Sequence, residues 1–446
     1  MSAHERFRFR TAHGLLAKAE ALGIALPFSK DIEVLFAPAA VGRATVSNRL
    51  IVHPMEGSDA DARGAPSELT FRRYRRFAEG GCGLIWFEAA AVAEEGRANP
   101  RQLLIDQTTV EVFKRLAEET RRAARVQSLS PRDVLLILQL THSGRFSKPR
   151  GTPSPVIAQR NPFLDPLHRL PADYPTISDE ALVRLQETYI TAASLAAEAG
   201  FDGIDLKACH GYLISELLGA RTRTDSRYGG PLENRTRFLD EIARGIKSRV
   251  PQLLIASRFG AYDALPYPYG FGADPARPGI PDLTEPLATV RRLRDAGLDL
   301  INVTAGIPSY KPHFGRPFDR PAAGGAVPDE HPLEGVGRLL DLARGVQREF
   351  PDLPVVGTGY SWLRHFFPNV AAAVLQNGGA TFAGLGRLSF AYPDFAADLR
   401  ESGALDPKKT CVACSGCSES LRAGVPAGCV VRDKAVYKRP VPAGAG

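Results

Sequence analysis

From about residue 45 onward, short apolar runs alternate with longer amphipathic stretches, and this alternation constrains the chain more than any other feature. A strand covered on both faces reads as a continuous apolar run, and two parallel strands need a crossover, usually a helix, between them. Eight such units can be read, with candidate strands at Arg49–His53, Gly83–Glu88, Val134–Leu140, Gly203–Lys207, Leu253–Arg258, Leu298–Val303, Leu353–Gly357 and Thr381–Gly384. The stretch Ser178–Ala199 typifies the crossovers: Ser178 can cap a helix, Asp179 and Glu180 suit its positive end, and Gly200 stops it. Eight βα units predict an α/β fold, a single (β/α)8 TIM barrel, whose closure gathers all strand C-termini on one face where loops build a site. Pro153–Pro175 and Leu265–Asp282 are too rich in proline for regular elements and are expected to be long loops. The barrel is expected over residues 45–405, after an N-terminal lead-in with a helix (1–44) and before a cysteine-bearing tail (406–446).

At 446 residues and 44% hydrophobic content, the chain can bury a core of this size. The formal net charge of +7 is small for the length and the arginines are scattered, so a nucleic-acid partner is not expected; a few arginines would serve an anionic cofactor or substrate. No apolar run reaches the roughly 18 residues of a membrane span, and Met1–Arg10 lacks the apolar centre of a signal peptide. The expectation is a cytoplasmic protein with a small-molecule substrate and no membrane partner, compatible with an oligomer.

The most informative segment is AGFDGIDLKACHGYLISELLGARTRTDSRYGGPLENRTR, from Ala199 to Arg237. A strand ending at Lys207 delivers Lys207, His210 and Tyr212 to the barrel mouth, bringing an ammonium, an imidazole and a phenol into one small volume. Such donors can hold a carbonyl oxygen and supply a proton beside it. Ordinary strand-end polarity explains a His-x-Tyr pair equally well when it is taken alone.

The segment resembles the Old Yellow Enzyme group, and more closely its branch with 2,4-dienoyl-CoA reductase and trimethylamine dehydrogenase. The match includes Arg223, Asp225, Tyr228, Gly229, Gly230, Leu232, Glu233, Asn234 and Arg235, and extends from about Asn48 to the cysteine tail. The resemblance implies an FMN-carrying barrel. In NRLIVHPMEG it lays Pro54, Met55 and Glu56 along the flavin, and in FEAAAV it sets Ala89 near the pyrimidine edge. In LQLTHSGR it makes Gln139 the amide that reads the ring, while Arg258, ending the fifth strand, would stabilise the negative charge of reduced flavin. GTGY and FAGLGR, on the last two strands, would hold the phosphate through Gly359, Gly386 and Arg387. Core packing accounts for Pro54, Met55 and Ala89, and turn formation for either glycine, if each is considered separately; the agreement across several strands favours the flavin.

Two positions depart from the family pattern. Lys207 and His210 stand where many members carry a His-x-x-His or His-x-x-Asn pair that grips the substrate's carbonyl oxygen. A lysine there can favour a carboxylate, thioester or enolate, or it can reach a neighbouring carboxylate of the protein. Glu56 stands where better-known members carry Thr or Cys near the flavin C4 carbonyl. Tyr212 matches the tyrosine that protonates the substrate carbon opposite the hydride. His313, in YKPHFGRP, is a further candidate for the mouth. The resemblance implies reduction of an activated C=C bond; the alternatives are an amine or alcohol dehydrogenase that drains electrons to a carrier, and a non-catalytic electron-transfer subunit.

Cys411, Cys414, Cys417 and Cys429 crowd into nineteen residues with spacing x2, x2 and x11, which in a cytosolic protein points to metal rather than disulfides. Three bunched thiolates and one distant thiolate suit a [4Fe-4S] cluster, as in the iron–sulfur members of the same branch. Tetrahedral zinc is the alternative, although it favours paired CxxC knuckles. Cys82 and Cys209 read as buried small side chains. No strand-GxGxxG signature follows the cysteines. Electrons therefore reach the flavin either from a separate electron-transfer protein through the cluster or from NAD(P)H at the mouth.

Overall fold

The computed structural model describes residues 3–127 and 134–440. The outermost ends of the expected lead-in and tail, residues 1–2 and 441–446, lie outside them. A two-stranded antiparallel hairpin, β1 (Ala39–Val41) and β2 (Ala44–Val46), precedes eight barrel strands. These are β3 (Leu50–Val52), β4 (Leu84–Ala91), β5 (Leu135–Thr141), β6 (Gly203–Leu206), β7 (Leu254–Tyr262), β8 (Leu300–Ala305), β9 (Val355–Gly357) and β10 (Phe382–Leu385). They close in the order β10-β3-β4-β5-β6-β7-β8-β9 with every barrel pair parallel, so the fold is the TIM barrel expected from the alternation.

Crossover helices form where the local signals favour them. In Asp179–Glu198, the Ser178 hydroxyl accepts a hydrogen bond from the Ala181 amide at 3.2 Å, and Gly200 beyond it takes φ +84°. Helix Glu68–Glu79 buries Phe71, Tyr74, Phe77 and Ala78, a stripe of helical period facing the barrel. The proline-rich stretches carry only a short 3-10 turn, at Pro166–His168, and isolated bridges. The lead-in helix is confined to Ala12–Ala21.

Strand residues divide between two packing environments. Ile85, Leu136, Leu138, Ile255 and Ile301 face the helices, whereas Leu84, Trp86, Leu135, Ile137, Leu254 and Leu300 pack together inside the barrel. Val41 and Val46 of the hairpin, both fully buried, join the inner cluster and cover the barrel floor. Two steps further along the same inward rows stand Gln139 on β5, Arg258 on β7 and Asn302 and Thr304 on β8. The interior thus changes from apolar at the floor to polar at the strand C-termini, where function is sought in this fold.

β4 and β7 run beyond their expected ends, each with a register shift: between Phe87 and Ala90 on β4, and between Gly260 and Tyr262 on β7. Bulges of this kind turn a side chain out of its row at a barrel rim. Glu88 lies in the first of them, and its Oε1 meets the Arg73 guanidinium at 2.5 Å.

Candidate active site

Beyond β6 the chain reverses through His210 (φ +67°) and Gly211 (φ +75°) and starts the helix Leu213–Leu218 at Tyr212. A side chain at Gly211 would press on Ile307, with a Cβ only 3.1 Å from its Cγ2. This tight turn brings Lys207, His210 and Tyr212 onto one rim. Lys207 Nζ lies 3.0 Å from Glu56 Oε1 and 3.6 Å from the centre of the Tyr212 ring. The Tyr212 hydroxyl donates to the same Glu56 oxygen at 3.1 Å. Of the two fates open to Lys207, the folded chain adopts the ion pair with a neighbouring carboxylate.

Burial, with Glu56 next to it, holds the Tyr212 phenol well above its ordinary pKa, so it keeps its proton at neutral pH. Burial, then Arg258 and Lys207, push the His210 imidazole well below its ordinary value, so it is neutral. The rim therefore offers a protonated phenol and a neutral imidazole, with a paired ammonium against the phenol ring.

Beneath the rim, Asp205 accepts from Gln139 Nε2 at 2.5 Å, Trp86 Nε1 at 2.8 Å and the Arg258 amide at 2.6 Å. Burial still pushes its carboxyl up to about 6 against these three donors. Arg258 donates from Nη1 to the Pro54 carbonyl at 3.2 Å. Its Nε, both amide atoms of Asn302, the Thr304 hydroxyl and His53 Nε2 are buried without a hydrogen-bond partner among the described residues. Buried polar atoms are seldom left so, and several at one barrel mouth fit a planar ligand carrying both donors and acceptors, which an isoalloxazine ring is.

The other residues expected along that ligand are distributed as follows. Pro54 is tied to Arg258, and Ala89 is fully buried on β4 with its carbonyl accepting from Gln102 Nε2 at 3.1 Å. Met55 packs on Gly386, where an added Cβ would come within 2.9 Å of the Met55 sulfur. Gly359 holds φ +101°, a conformation that favours glycine. Arg387 is buried with its Nη1 unpartnered and lies beside the cysteines. Glu56 contacts Lys207 and Tyr212, so the structure gives it a partner on the substrate-facing rim.

Cys411, Cys414, Cys417 and Cys429 line a single cavity, together with Arg387 and Phe390, and all six cysteines of the chain are free. Left-handed residues Ala413 (φ +49°) and Ser415 (φ +60°) wrap the chain between the first three. Backbone amides of Ala413 and Arg432 donate to the sulfurs of Cys411 at 3.4 Å and Cys429 at 3.3 Å. Among the described residues, no group of three or more His, Cys, Asp or Glu side chains has the arrangement that holds a metal ion. The tail is tied to the barrel: Ala427 N donates to Gly57 O at 2.7 Å, one residue from Glu56, and Asp319 N donates to Ala413 O at 3.0 Å. Cys82 and Cys209 are buried away from this cavity, in the core as expected.

The NADH:flavin oxidoreductase / NADH oxidase family matches the chain over residues 34–270, more than half its length. The chain belongs to this family. It is 27% identical over 409 residues to a metal reductase of Desulforamulus reducens, covering 91% of this chain and 54% of that protein. It is 28% identical over 395 residues to an NADH oxidase of Thermoanaerobacter brockii, covering 86% of this chain and 53% of that protein. The chain thus spans about half the length of these relatives. Among solved structures, a 2-naphthoyl-CoA reductase in complex with 2-naphthoyl-CoA aligns with TM-score 0.71 at 21% identity, over 90% of this chain and 57% of that one, a likeness of fold. No described helix is long and apolar enough to cross a membrane.

The mouth of this member of the NADH:flavin oxidoreductase family also holds residues outside the candidates that the sequence offered. Asp205 sits between apolar neighbours in DGIDL, and a carboxylate within a buried strand was the available signal. His53, within NRLIVHPMEG, faces inward next to Arg258, and the resemblance gave it no role; its ring fills the space where any side chain at Gly384 would stand. In YKPHFGRP the candidate was His313, which the structure instead directs to Glu330 at 3.8 Å. The arginine of that same segment, Arg316, is the one near the site. It donates to Ser418 in the tail, its charge reaches His210, and burial with the nearby Arg387 lowers its pKa to about 10.

Proposed function

We propose that the barrel binds FMN at its mouth and reduces an activated C=C bond of a small molecule, an enone, enoate or enoyl thioester, with Tyr212 giving the proton. Bound FMN supplies a hydride at N5, and NAD(P)H is its reductant, NADH being the donor in the family's name. His210 binds the electron-withdrawing group, and Lys207, paired with Glu56, lends its field to the enolate-like charge that grows in the transition state. Glu56 orients the Tyr212 hydroxyl, and the buried phenol keeps its proton until the substrate carbon takes it. The observation that carries this reading is the convergence of a protonated phenol and a neutral imidazole above unpartnered donors of Arg258 and Asn302.

The proposal extends to the tail. Four thiols around one cavity, with backbone N–H groups aimed at two of the sulfurs, support a [4Fe-4S] cluster held by Cys411, Cys414, Cys417 and Cys429. Arg387 lines that cavity and would face both the cluster and the flavin phosphate. With such a cluster in place, a separate electron-transfer protein is a second source of electrons.

The test is rapid mixing of the anaerobically reconstituted holoprotein with NADH and then with 4-phenyl-3-buten-2-one. Tyr212→Phe should leave flavin reduction intact and slow reoxidation by the enone about 10²- to 10⁴-fold. A wild-type protein that takes up no FMN, or a Tyr212→Phe variant that turns over like the wild type, overturns the reading.

A further inference from the structure

We infer that Glu56 sets the charge of the substrate this site accepts: by pairing with Lys207 it selects a neutral carbonyl compound with an apolar body and excludes a carboxylate. The inference rests on the function proposed above, and narrows it from enones, enoates and thioesters to the uncharged members of that set.

Read without Glu56, the rim is cationic, because Lys207 is only 5% exposed and would otherwise present an unbalanced ammonium to any ligand. With Glu56 Oε1 at 3.0 Å, the two charges cancel at the distance of a bound ligand. The same oxygen accepts a hydrogen bond from the Tyr212 hydroxyl at 3.1 Å. A ligand carboxylate entering here would lose its water and meet the Glu56 carboxylate, without gaining Lys207 as an unpaired cation in return. A ketone, aldehyde or thioester oxygen asks only for a neutral donor, which the His210 imidazole supplies.

Of the other cations, Arg258 lies beneath the rim with its Nη1 on the Pro54 carbonyl, and Arg316 donates to Ser418 in the tail. Arg145 is fully buried and paired with Glu216 and Asp165. The wall above Tyr212 is apolar: Phe146 lies 5.6 Å from the Tyr212 ring, and with Phe163 and Tyr310 it packs on the buried cluster of Leu164, Leu265 and Ile307. Such a wall favours an apolar body behind the carbonyl.

Glu56 is itself held in place from behind. Glu88 Oε2 accepts from the Gly57 amide at 2.6 Å, and a side chain at Gly57 would overlap Arg73, which binds both Glu88 and Asp59 at 2.5 Å. The carboxylate therefore stands on a segment braced by buried ion pairs.

The experiment uses two saturated ligands of one shape, 4-phenyl-2-butanone and 3-phenylpropanoate, titrated calorimetrically into the FMN-loaded full chain. Wild type should bind the ketone at least about tenfold more tightly than the carboxylate. Glu56→Gln, which keeps the shape and frees the ammonium, should tighten the carboxylate about tenfold or more and change the ketone less than about threefold. Glu56→Gln combined with Lys207→Met should abolish that gain. Wild type binding the carboxylate as tightly as the ketone, an unchanged carboxylate Kd in Glu56→Gln, or binding of neither ligand to any variant overturns the inference. Turnover of 4-phenyl-3-buten-2-one by the same preparations reads the proposed function separately: a Kd ratio that inverts without turnover keeps the charge rule and removes the reaction.

Discussion

Asp205 shows how a single buried side chain can link the site to the stability of the barrel. Its carboxyl sits inside the cylinder with Gln139, Trp86 and the Arg258 amide as donors, yet burial outweighs them and raises its pKa to about 6 from an ordinary value of 3.8. The folded chain therefore holds this proton more tightly than the unfolded chain does. Below about pH 4 both states are protonated and the group costs nothing; as pH rises from about 4 to about 6 the unfolded state ionises first, so stability falls across that window and then levels. Asp205→Asn should remove this dependence. Urea denaturation at pH 4 and pH 7 is expected to show a wild-type decline larger than that of the variant by about 1–3 kcal/mol; parallel declines would refute the assignment. At this scale the sequence was partly legible. Lys207, His210, Tyr212, Gln139 and Arg258 could be placed at strand ends by counting, but which donor meets which acceptor depends on residues far apart in the chain. Glu56 and Lys207 are separated by 151 positions, so no local pattern could pair them.

At the scale of elements, the tail depends on a clamp. Asp433 accepts from Arg72 at 2.7 and 3.1 Å and from Arg76 at 2.7 Å, both on the helix Glu68–Glu79. The two arginines are one turn apart, so a single carboxylate bridges them and fixes the segment that follows Cys429. Asp433→Asn should loosen this segment. After anaerobic reconstitution and desalting, the variant is expected to retain well below the roughly four iron atoms per chain of a full cluster, and its tail should be cut faster in limited proteolysis. Iron content and cleavage rate equal to those of the wild type would show that the clamp is dispensable. The spacing of the four cysteines was readable directly, since it is a local property. The clamp was not, because an aspartate and two arginines at 361 and 357 positions' remove look like solvated surface charges in the sequence. The hairpin β1–β2 also escaped notice: its strands have three residues each, too few for an alternation to register.

At the scale of the whole molecule, the barrel separates what holds it together from what it does. Its floor is an apolar layer of Ile51, Leu84, Trp86, Leu135 and their neighbours, closed by Val41 and Val46, and its mouth is polar. Val46→Ala removes two methyl groups from the floor and should cost about 1–3 kcal/mol in a urea titration. Because the mouth lies at the far end of the strands, the Kd for FMN measured at low urea should stay within about twofold of wild type. A large loss of FMN affinity would mean that floor and mouth are not independent.

The order of apolar runs and crossovers determined a closed eight-stranded barrel, because strand burial and helical period are written in nearest neighbours and need only counting. It also determined that four thiols lie close together and that a lysine, a histidine and a tyrosine follow the fourth barrel strand. Tertiary structure alone decided that Lys207 is neutralised by Glu56, that Arg316 rather than His313 approaches the site, and that the tail is anchored through Asp433. Electrostatic pairing depends on distance in space and on the loss of water, and neither quantity exists until the chain has closed on itself.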